Sequence, residues 1–317
     1  MNFYRFFVVI VSMFVSGAVI AQDVAQKAVL VTGASSGSGR VIAETLAERG
    51  YFVYAGARKQ ADIDELNAIA NMQAIRLDVT VQSEIDAAVE TVRNEGRGLY
   101  GLVNNAGVGD LGPLIEIPES EVDFIFDVNV MGPYRVTKAF APLIIESKGR
   151  ITTIGSRAGV LTRVFYGPYS MSKHAMEAFT DALSYEMDKF DVKVTIIDPS
   201  GFKSKIGEAS FKRMQDRGFN VEDSLYSSEW EAMRMFETEG KIEVENDVPE
   251  QIANAVIDTL EAETPQIRYL TVGSKDSAMQ AIEGVMRRAV QLNERNKYSL
   301  SRDELVEMLD TLLGNQD

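Results

Sequence analysis

The stretch YGPYSMSKHA, residues 166–175, sets a tyrosine and a lysine four positions apart, with the only histidine of the chain directly after the lysine. On a helix, Tyr169 and Lys173 share a face as i and i+4, whereas His174 is turned about 100° away from Lys173. Pro168 suits a helix start, and the residues from Ser170 to Met176 do not oppose one. A phenol titrates near 10 and needs help to exchange a proton near neutral pH. An ammonium on the same face favours the phenolate and supplies that help. One reading of such a pair is a tyrosine acid/base with a lysine helper, with His174 a packed or solvated bystander. The other reading is a surface pair on a helix, and the rest of the chain decides between them.

A second stretch with a chemical use is TGASSGSG, residues 32–39, which follows an apolar run and precedes an amphipathic one. Glycine takes positive φ without steric cost and lets a ligand approach the backbone, while the N–H groups of a helix start attract a pyrophosphate. The spacing of Gly33, Gly37 and Gly39 differs from the common G-x-G-x-x-G fingerprint. A plain Gly/Ser turn is the bland reading of the same residues.

Composition removes several other chemistries. The 317 residues include no cysteine and one histidine, which excludes disulfides and thiolate chemistry and leaves little for zinc, so no metal site is expected. With 32 basic and 47 acidic residues the net charge is −15, which disfavours a non-specific grip on nucleic acid. A hydrophobic fraction of 45% and a charged fraction of 25% are those of a globular chain with material for a core.

The elements that must position these residues alternate along the chain. KAVLVT (27–32), YFVYAGA (51–57), AIRLDV (74–79), GLVNNA (101–106), RITTIG (150–155), VKVTIID (192–198) and IRYLTV (267–272) are short apolar runs rich in Val and Ile. Amphipathic stretches such as 40–50, 83–96 and 174–190 lie between them. This alternation implies right-handed βαβ units, hence an α/β fold with one doubly wound parallel sheet and helices on both faces. No repeat or linker divides residues 22–317, so one domain is expected. Residues 203–247, rich in charge and large apolar side chains, read as an insertion between the sixth and seventh strands. Residues 1–21 stand apart, with one arginine near the start, an apolar run from Phe6 to Ile20 and small residues suited to cleavage after Ala21. They read as a secretory signal peptide or, if uncleaved, a membrane anchor, and the chain as exported or membrane-anchored.

Further motifs occur in a fixed order: LDV (77–79), NNAG (104–107), Asn129 in FDVNVMG, Ser156 in IGSRAG, and YSMSK (169–173), with Ser156 and Tyr169 thirteen positions apart. Together with the glycine stretch they make the chain resemble a classical short-chain dehydrogenase/reductase over roughly residues 27–202. The resemblance implies a Rossmann-type fold and a hydride passed between a nicotinamide and a carbinol carbon while Tyr169 moves the proton. It also implies that Lys173 binds the nicotinamide ribose, that Ser156 hydrogen-bonds the substrate oxygen, and that Asn129 holds a water in a proton relay. Gly33, Ser35, Ser36, Gly37, Ser38 and Gly39 would cradle the phosphates, Asp78 and Val79 would contact the adenine, and Asn105, Ala106 and Gly107 would line the cofactor. Pro199, Gly201 and Phe202 would border the nicotinamide, although DPSGF stands here in place of the family's usual Pro-Gly.

Cofactor choice is read at the end of the second strand, where an acid suits the 2′-hydroxyl of NAD and an arginine the 2′-phosphate of NADP. The strand ends in Arg58 and Lys59 with no acid before Asp62, and Ser36 can donate to the same phosphate, so NADP is expected and NAD is the alternative. The helix after Pro168 and the RYLTVG segment resemble the hydroxysteroid and retinol dehydrogenase branch. Phe211, Met214, Phe219, Trp230, Met233, Met235 and Phe236 suffice for a lid over an apolar steroid-, retinoid- or lipid-like alcohol or ketone, or for packing the insertion onto the domain. The rivals are an NAD-dependent alcohol dehydrogenase and a non-catalytic NADP-binding redox sensor. The set Asn129, Ser156, Tyr169, Lys173 argues against the sensor, which has no need of a proton relay. A nicotinamide cofactor is scarce outside the cytoplasm, which favours a cytoplasm-facing anchor; membrane association through residues 1–21 and a homo-oligomer both stay open.

Overall fold

Short runs of β-branched residues, too short to span more than one layer of core, pair into one seven-stranded parallel sheet. The computed structural model describes residues 26–202, 205–238 and 247–314, so the leader of residues 1–21 lies outside the described residues. The strands are β1 (Ala28–Val31), β2 (Phe52–Ala57), β3 (Met72–Arg76), β4 (Gly101–Asn104), β5 (Arg150–Ile154), β6 (Lys193–Pro199) and β7 (Arg268–Thr271). Their order is β3-β2-β1-β4-β5-β6-β7. Each expected strand is found, with β3 starting two residues early and ending before LDV. There Asp78 leaves the sheet because its carboxylate accepts the N–H and the hydroxyl of Thr80 at 3.0 and 2.7 Å, a local turn that replaces the ladder.

Alternation along each strand divides the core into two layers. Val29, Val31, Val53 and Ala55 pack with α1 (Gly37–Glu48) and α9 (Val248–Glu261). Ala28, Leu30, Tyr54, Leu102 and Ile151 pack with α3 (Gln82–Asn94) and α5 (Gly132–Glu146). Strands apolar on both faces are what a sheet covered on both sides requires. The remaining helices are α2 (Gln60–Asn67), α4 (Glu119–Phe126), α6 (Gly167–Met187), α7 (Lys205–Asp216), α8 (Ser227–Thr238), α10 (Lys275–Asn293) and α11 (Arg302–Gly314). Helix α6 opens on Gly167-Pro168, where the ring's fixed φ and missing N–H cost nothing, so Tyr169 and Lys173 sit in its first two turns.

The insertion builds a small core of its own. Trp230, 1% exposed, stacks on Phe165 with ring centroids 4.4 Å apart, and Leu111, Met214, Phe219 and Tyr226 close around them. Charged groups fasten it: Arg217 pairs with the fully buried Asp110 at 3.0 Å, and Arg213 donates to the Gly109 carbonyl. Among the described residues no helix is long and apolar enough to cross a membrane.

Candidate active site

Because β1 is flanked by β2 and β4, the chain reverses direction across the sheet between β1 and β4, and a crevice opens at the carboxyl ends there. A cleft of about 170 Å³ follows it, lined by Gly33, Ser35, Ser36, Gly37, Ser38, Arg58, Asp78, Val79, Asn105, Ala106 and Gly107. A neighbouring pocket of about 270 Å³ is lined by Ser156, Tyr169, Pro199 and Gly201 among others. Phe202 and Ile206 line both, so the two spaces adjoin.

The glycine loop fits its expected use. Gly33 has φ +67° and a Cβ there would lie 2.9 Å from the Ala106 Cα, so no other residue holds this turn against β4. Gly37, at φ +57°, faces open space at the start of α1, whose first turn carries no acid. Gly39 is not among the residues lining this cleft; a side chain there would overlap the Asn105 amide and the Gly33 carbonyl, so it lets α1 press on the loop. Asn105 ties the loop down, donating to the Thr32 carbonyl at 2.9 Å and accepting from the Ser38 hydroxyl at 2.9 Å. This tie is a structural duty that the sequence alone did not show. Arg58 reaches Asp78 at 3.5 Å. Burial pushes the Asp78 carboxyl up, but the Thr80 N–H and hydroxyl and the Arg58 guanidinium outweigh it and hold the group below its usual value.

Ser156 and Tyr169 line the second pocket together, and the Ser156 hydroxyl accepts the Ala158 N–H at 3.1 Å. Burial pushes the phenol above its ordinary value and the Ser156 hydroxyl pulls against that shift. The expected help from Lys173 takes a different form here: its ammonium, 6% exposed, donates to the Ile154 carbonyl at 2.8 Å and lies 5.8 Å from the Tyr169 ring centre. Desolvation lowers the Lys173 ammonium to about 8, against the pull of Asp198 and Glu177. The Nζ also lies 4.0 Å from where a Gly107 Cβ would stand, at the edge of the first cleft. Asn129 sits in a π-helical turn, Asp127–Met131, between α4 and α5. Such turns are rare and recur at functional sites. Its amide accepts the Val108 N–H and donates to the Val108 carbonyl, both at 2.8 Å, and donates to the Ser172 hydroxyl at 3.0 Å. His174 is engaged elsewhere, with Nδ1 2.8 Å from the Ser170 carbonyl and Nε2 2.8 Å from Arg288.

Of the insertion, Ile206, Gly207 and Ser210 of α7 form pocket wall, whereas Phe211, Met214, Phe219, Trp230 and Met233 pack against one another or against Phe165. The aromatic side chains thus support the wall rather than form it; Met235 and Phe236 fall outside the described side chains. Sequence reasoning missed two arginines in the pocket lining, Arg157 and Arg163, which reach Ser277 and Gln280 of α10 at 3.0 Å each. It also missed Glu177 and Asp198, although Tyr169, Lys173 and Glu177 fall on one helix face at steps of four.

Residues 27–215 match the family model for short chain dehydrogenase. The mitochondrial D-beta-hydroxybutyrate dehydrogenase of Rattus norvegicus is 33% identical over 260 residues, covering 77% of this chain and 76% of that one. Retinol dehydrogenase 7 of the same species is 34% identical over 202 residues, 62% of this chain and 63% of that one. A short-chain dehydrogenase from Streptomyces avermitilis superposes with a TM-score of 0.65 at 27% identity, covering 92% of this chain and 98% of that one. A match that takes in the glycine loop, the first six strands and Tyr169 with Lys173 makes this chain a member of the short-chain dehydrogenase family, an oxidoreductase that interconverts alcohols and carbonyls with NAD(P).

Proposed function

We propose that the chain is an NADP(H)-dependent oxidoreductase for an apolar alcohol or ketone. The observation that carries the reading is the adjoining of the two clefts, with Tyr169 and Ser156 on one side of the junction and the Gly33–Gly39 loop and Arg58 on the other. When bound, the nicotinamide gives or takes the hydride. Ser35, Ser36, Gly37 and Ser38 hold the pyrophosphate against the α1 N-terminus, Asp78 and Val79 border the adenine, and Asn105, Ala106 and Gly107 form the floor. Ser156 hydrogen-bonds the substrate oxygen, and Tyr169 gives it a proton in reduction and takes one in oxidation. Lys173 supplies positive charge and reaches the ribose, while Asn129, through Val108 and Ser172, holds the turn beside it and serves the proton relay. Helix α7 walls the pocket with Ile206, Gly207 and Ser210 and serves as its cover, and residues 1–21 export the chain or anchor it to a membrane.

The sign of the pH dependence follows from the buried phenol. Its raised value keeps Tyr169 protonated at neutral pH. Carbonyl reduction should therefore hold level through neutrality and fall only at alkaline pH, whereas alcohol oxidation, which needs the base form, should climb with pH. Rate profiles in both directions with saturating cofactor check this; oxidation that is fastest in acid would contradict it.

NADP preference rests on the lack of an acid at the end of β2 and on Arg58 at the cleft, where a 2′-phosphate would compete with Asp78 for the guanidinium. A charge-assisted hydrogen bond is worth about 1.5–3 kcal/mol, so Arg58→Ala should weaken NADPH about ten- to a hundredfold and NADH hardly at all. Titration of both cofactors tests this, and equal weakening, or a wild type that prefers NADH, refutes the assignment.

The pocket wall favours an apolar body through Leu111, Leu161, Phe202 and Ile206. A second reading has its own observation: Arg157 and Arg163 line the same pocket, and one relative is named for hydroxybutyrate, an acid. A panel of apolar ketones and short keto acids, each with NADPH and NADH, separates the two.

A further inference from the structure

Between the cofactor cleft and the substrate pocket the chain runs through a strip of three residues, Gly109, Asp110 and Leu111. All three line the pocket, and the residues before them, Asn105 to Val108, line the cleft. The strip belongs to no helix or strand, so its polar groups need partners from elsewhere. Among the described residues its hydrogen bonds all run to α7. Arg213 donates to the Gly109 carbonyl, and Arg217 donates to Asp110 Oδ2 at 3.0 Å and to the Leu111 carbonyl at 3.4 Å. Glu121 of α4 lies 3.6 Å from the Arg213 guanidinium and 3.7 Å from that of Arg217. Ile206, Ser210, Arg213 and Arg217 follow one another at steps of four, three and four, so the helix face that walls the pocket is the face that grips the strip.

A Cβ on Gly109 would lie 2.9 Å from Ile206 Cγ2, 3.2 Å from Ser210 Oγ and 3.9 Å from Tyr169 Cδ2, so strip, wall and phenol ring meet at this one residue. A small shift of the strip therefore changes the space beside Tyr169. We infer that Arg213 and Arg217, neither of which lines either cleft, are positioning residues that set the width of the substrate pocket beside Tyr169, and thereby the size of carbonyl substrate it takes. The residue types suit this task. A carbonyl turned away from water costs free energy unless a donor meets it, and the fully buried carboxyl of Asp110 calls for a cation. One planar guanidinium serves the Asp110 carboxyl and the Leu111 carbonyl together, which fixes direction as well as distance, whereas an ammonium is a point charge. Phe211 and Met214 of the same helix pack in the cluster around Trp230. That contact is non-directional and holds α7 without fixing its register. The inference rests on the reading of this pocket as the substrate site.

The test uses the full chain and pairs activity with a signal that needs no substrate. Arg213→Met keeps the aliphatic stem and removes the donor to Gly109. Arg217→Lys keeps a positive charge beside Asp110 and gives up the fork, and it carries the test if the first variant does not fold. A displacement of about 1 Å near a reacting group costs up to about 10² in rate, so in either variant kcat/KM should fall about tenfold for small ketones and less for bulky ones, which fill the widened space. Cofactor affinity should be kept, and Arg213→Lys, which restores a donor, should recover most of the loss seen in Arg213→Met. With fluorotyrosine in place of tyrosine, the ¹⁹F resonance that vanishes in Tyr169→Phe should shift in Arg213→Met and return in Arg213→Lys. A lower Tm with an unchanged ratio between small and bulky ketones makes the arginines fasteners of the fold alone and overturns the inference, as does a Tyr169 resonance that stays in place. If the wild type reduces no ketone, the proposed activity has failed, and the resonance alone decides whether the arginines position the strip.

Discussion

Tyr169→Phe lowers turnover by roughly 10² to 10⁴ while cofactor affinity stays near that of the wild type. The phenylalanine ring fills the same space, so what is lost is the phenol alone, and with it the proton donor next to Ser156. The effect should appear in kcat in both reaction directions, since one group serves as acid in reduction and base in oxidation. His174→Ala changes turnover little, because its imidazole is occupied by the Ser170 carbonyl and Arg288. Single-turnover rates with matched cofactor titrations check both variants. Near-normal turnover in the phenylalanine variant removes Tyr169 from its role.

Trp230→Ala costs about 3–5 kcal/mol of stability, the range for truncating a large aromatic side chain in a core. The damage should reach beyond the insertion. Phe165, on which Trp230 stacks, has φ +68°, a conformation that a bulky residue holds only when its surroundings impose it. Phe165 stands just before α6, so loosening it disturbs the entry to the helix that carries Tyr169. Loss of support for α7 also frees the wall at Ile206 and Ser210. The expected result is a lower Tm, faster hydrogen exchange over residues 205–238, and a KM that rises more for bulky apolar substrates than for small ones. Cofactor affinity should hold, since none of the cluster lines the first cleft except through the neighbouring Ile206. A fall in stability with unchanged size selectivity would make the segment a packing element with no share in substrate choice.

Much of this site was legible in the sequence because its signals are local. The glycine turn, the strand before it and the Tyr169–Lys173 spacing each follow from short-range rules of backbone geometry. Helix α6 begins where Pro168 lets it, and every expected strand is present. What was not legible depends on residues far apart in the chain. The aromatic content of residues 203–247 announced an apolar surface, yet only the packing of Trp230 on Phe165 fixes that it points inward to the insertion's own core. Arg157 and Arg163 carry no local signal, because what marks them is α10, more than a hundred residues later, coming to rest beside them. The Asp198 carboxylate under the Ser156 N–H likewise requires β6 to lie beside β5, which no periodicity encodes. Lys173 shows the same limit in its chemistry: its place on the helix face was predictable, but its bond to the Ile154 carbonyl was not.

The proposed reaction is a hydride transfer between a nicotinamide and an apolar carbonyl, completed by Tyr169 and Ser156. Its most direct test is a reduction with NADPH deuterated at the transferable position of the nicotinamide, over a panel of apolar ketones, with the product analysed by mass. One deuterium is expected on the carbinol carbon of the alcohol from the wild type, with a loss of that product of roughly 10² or more in rate with Tyr169→Phe. Transfer at an unchanged rate in the variant, or no deuterium in any product with either cofactor, would contradict it.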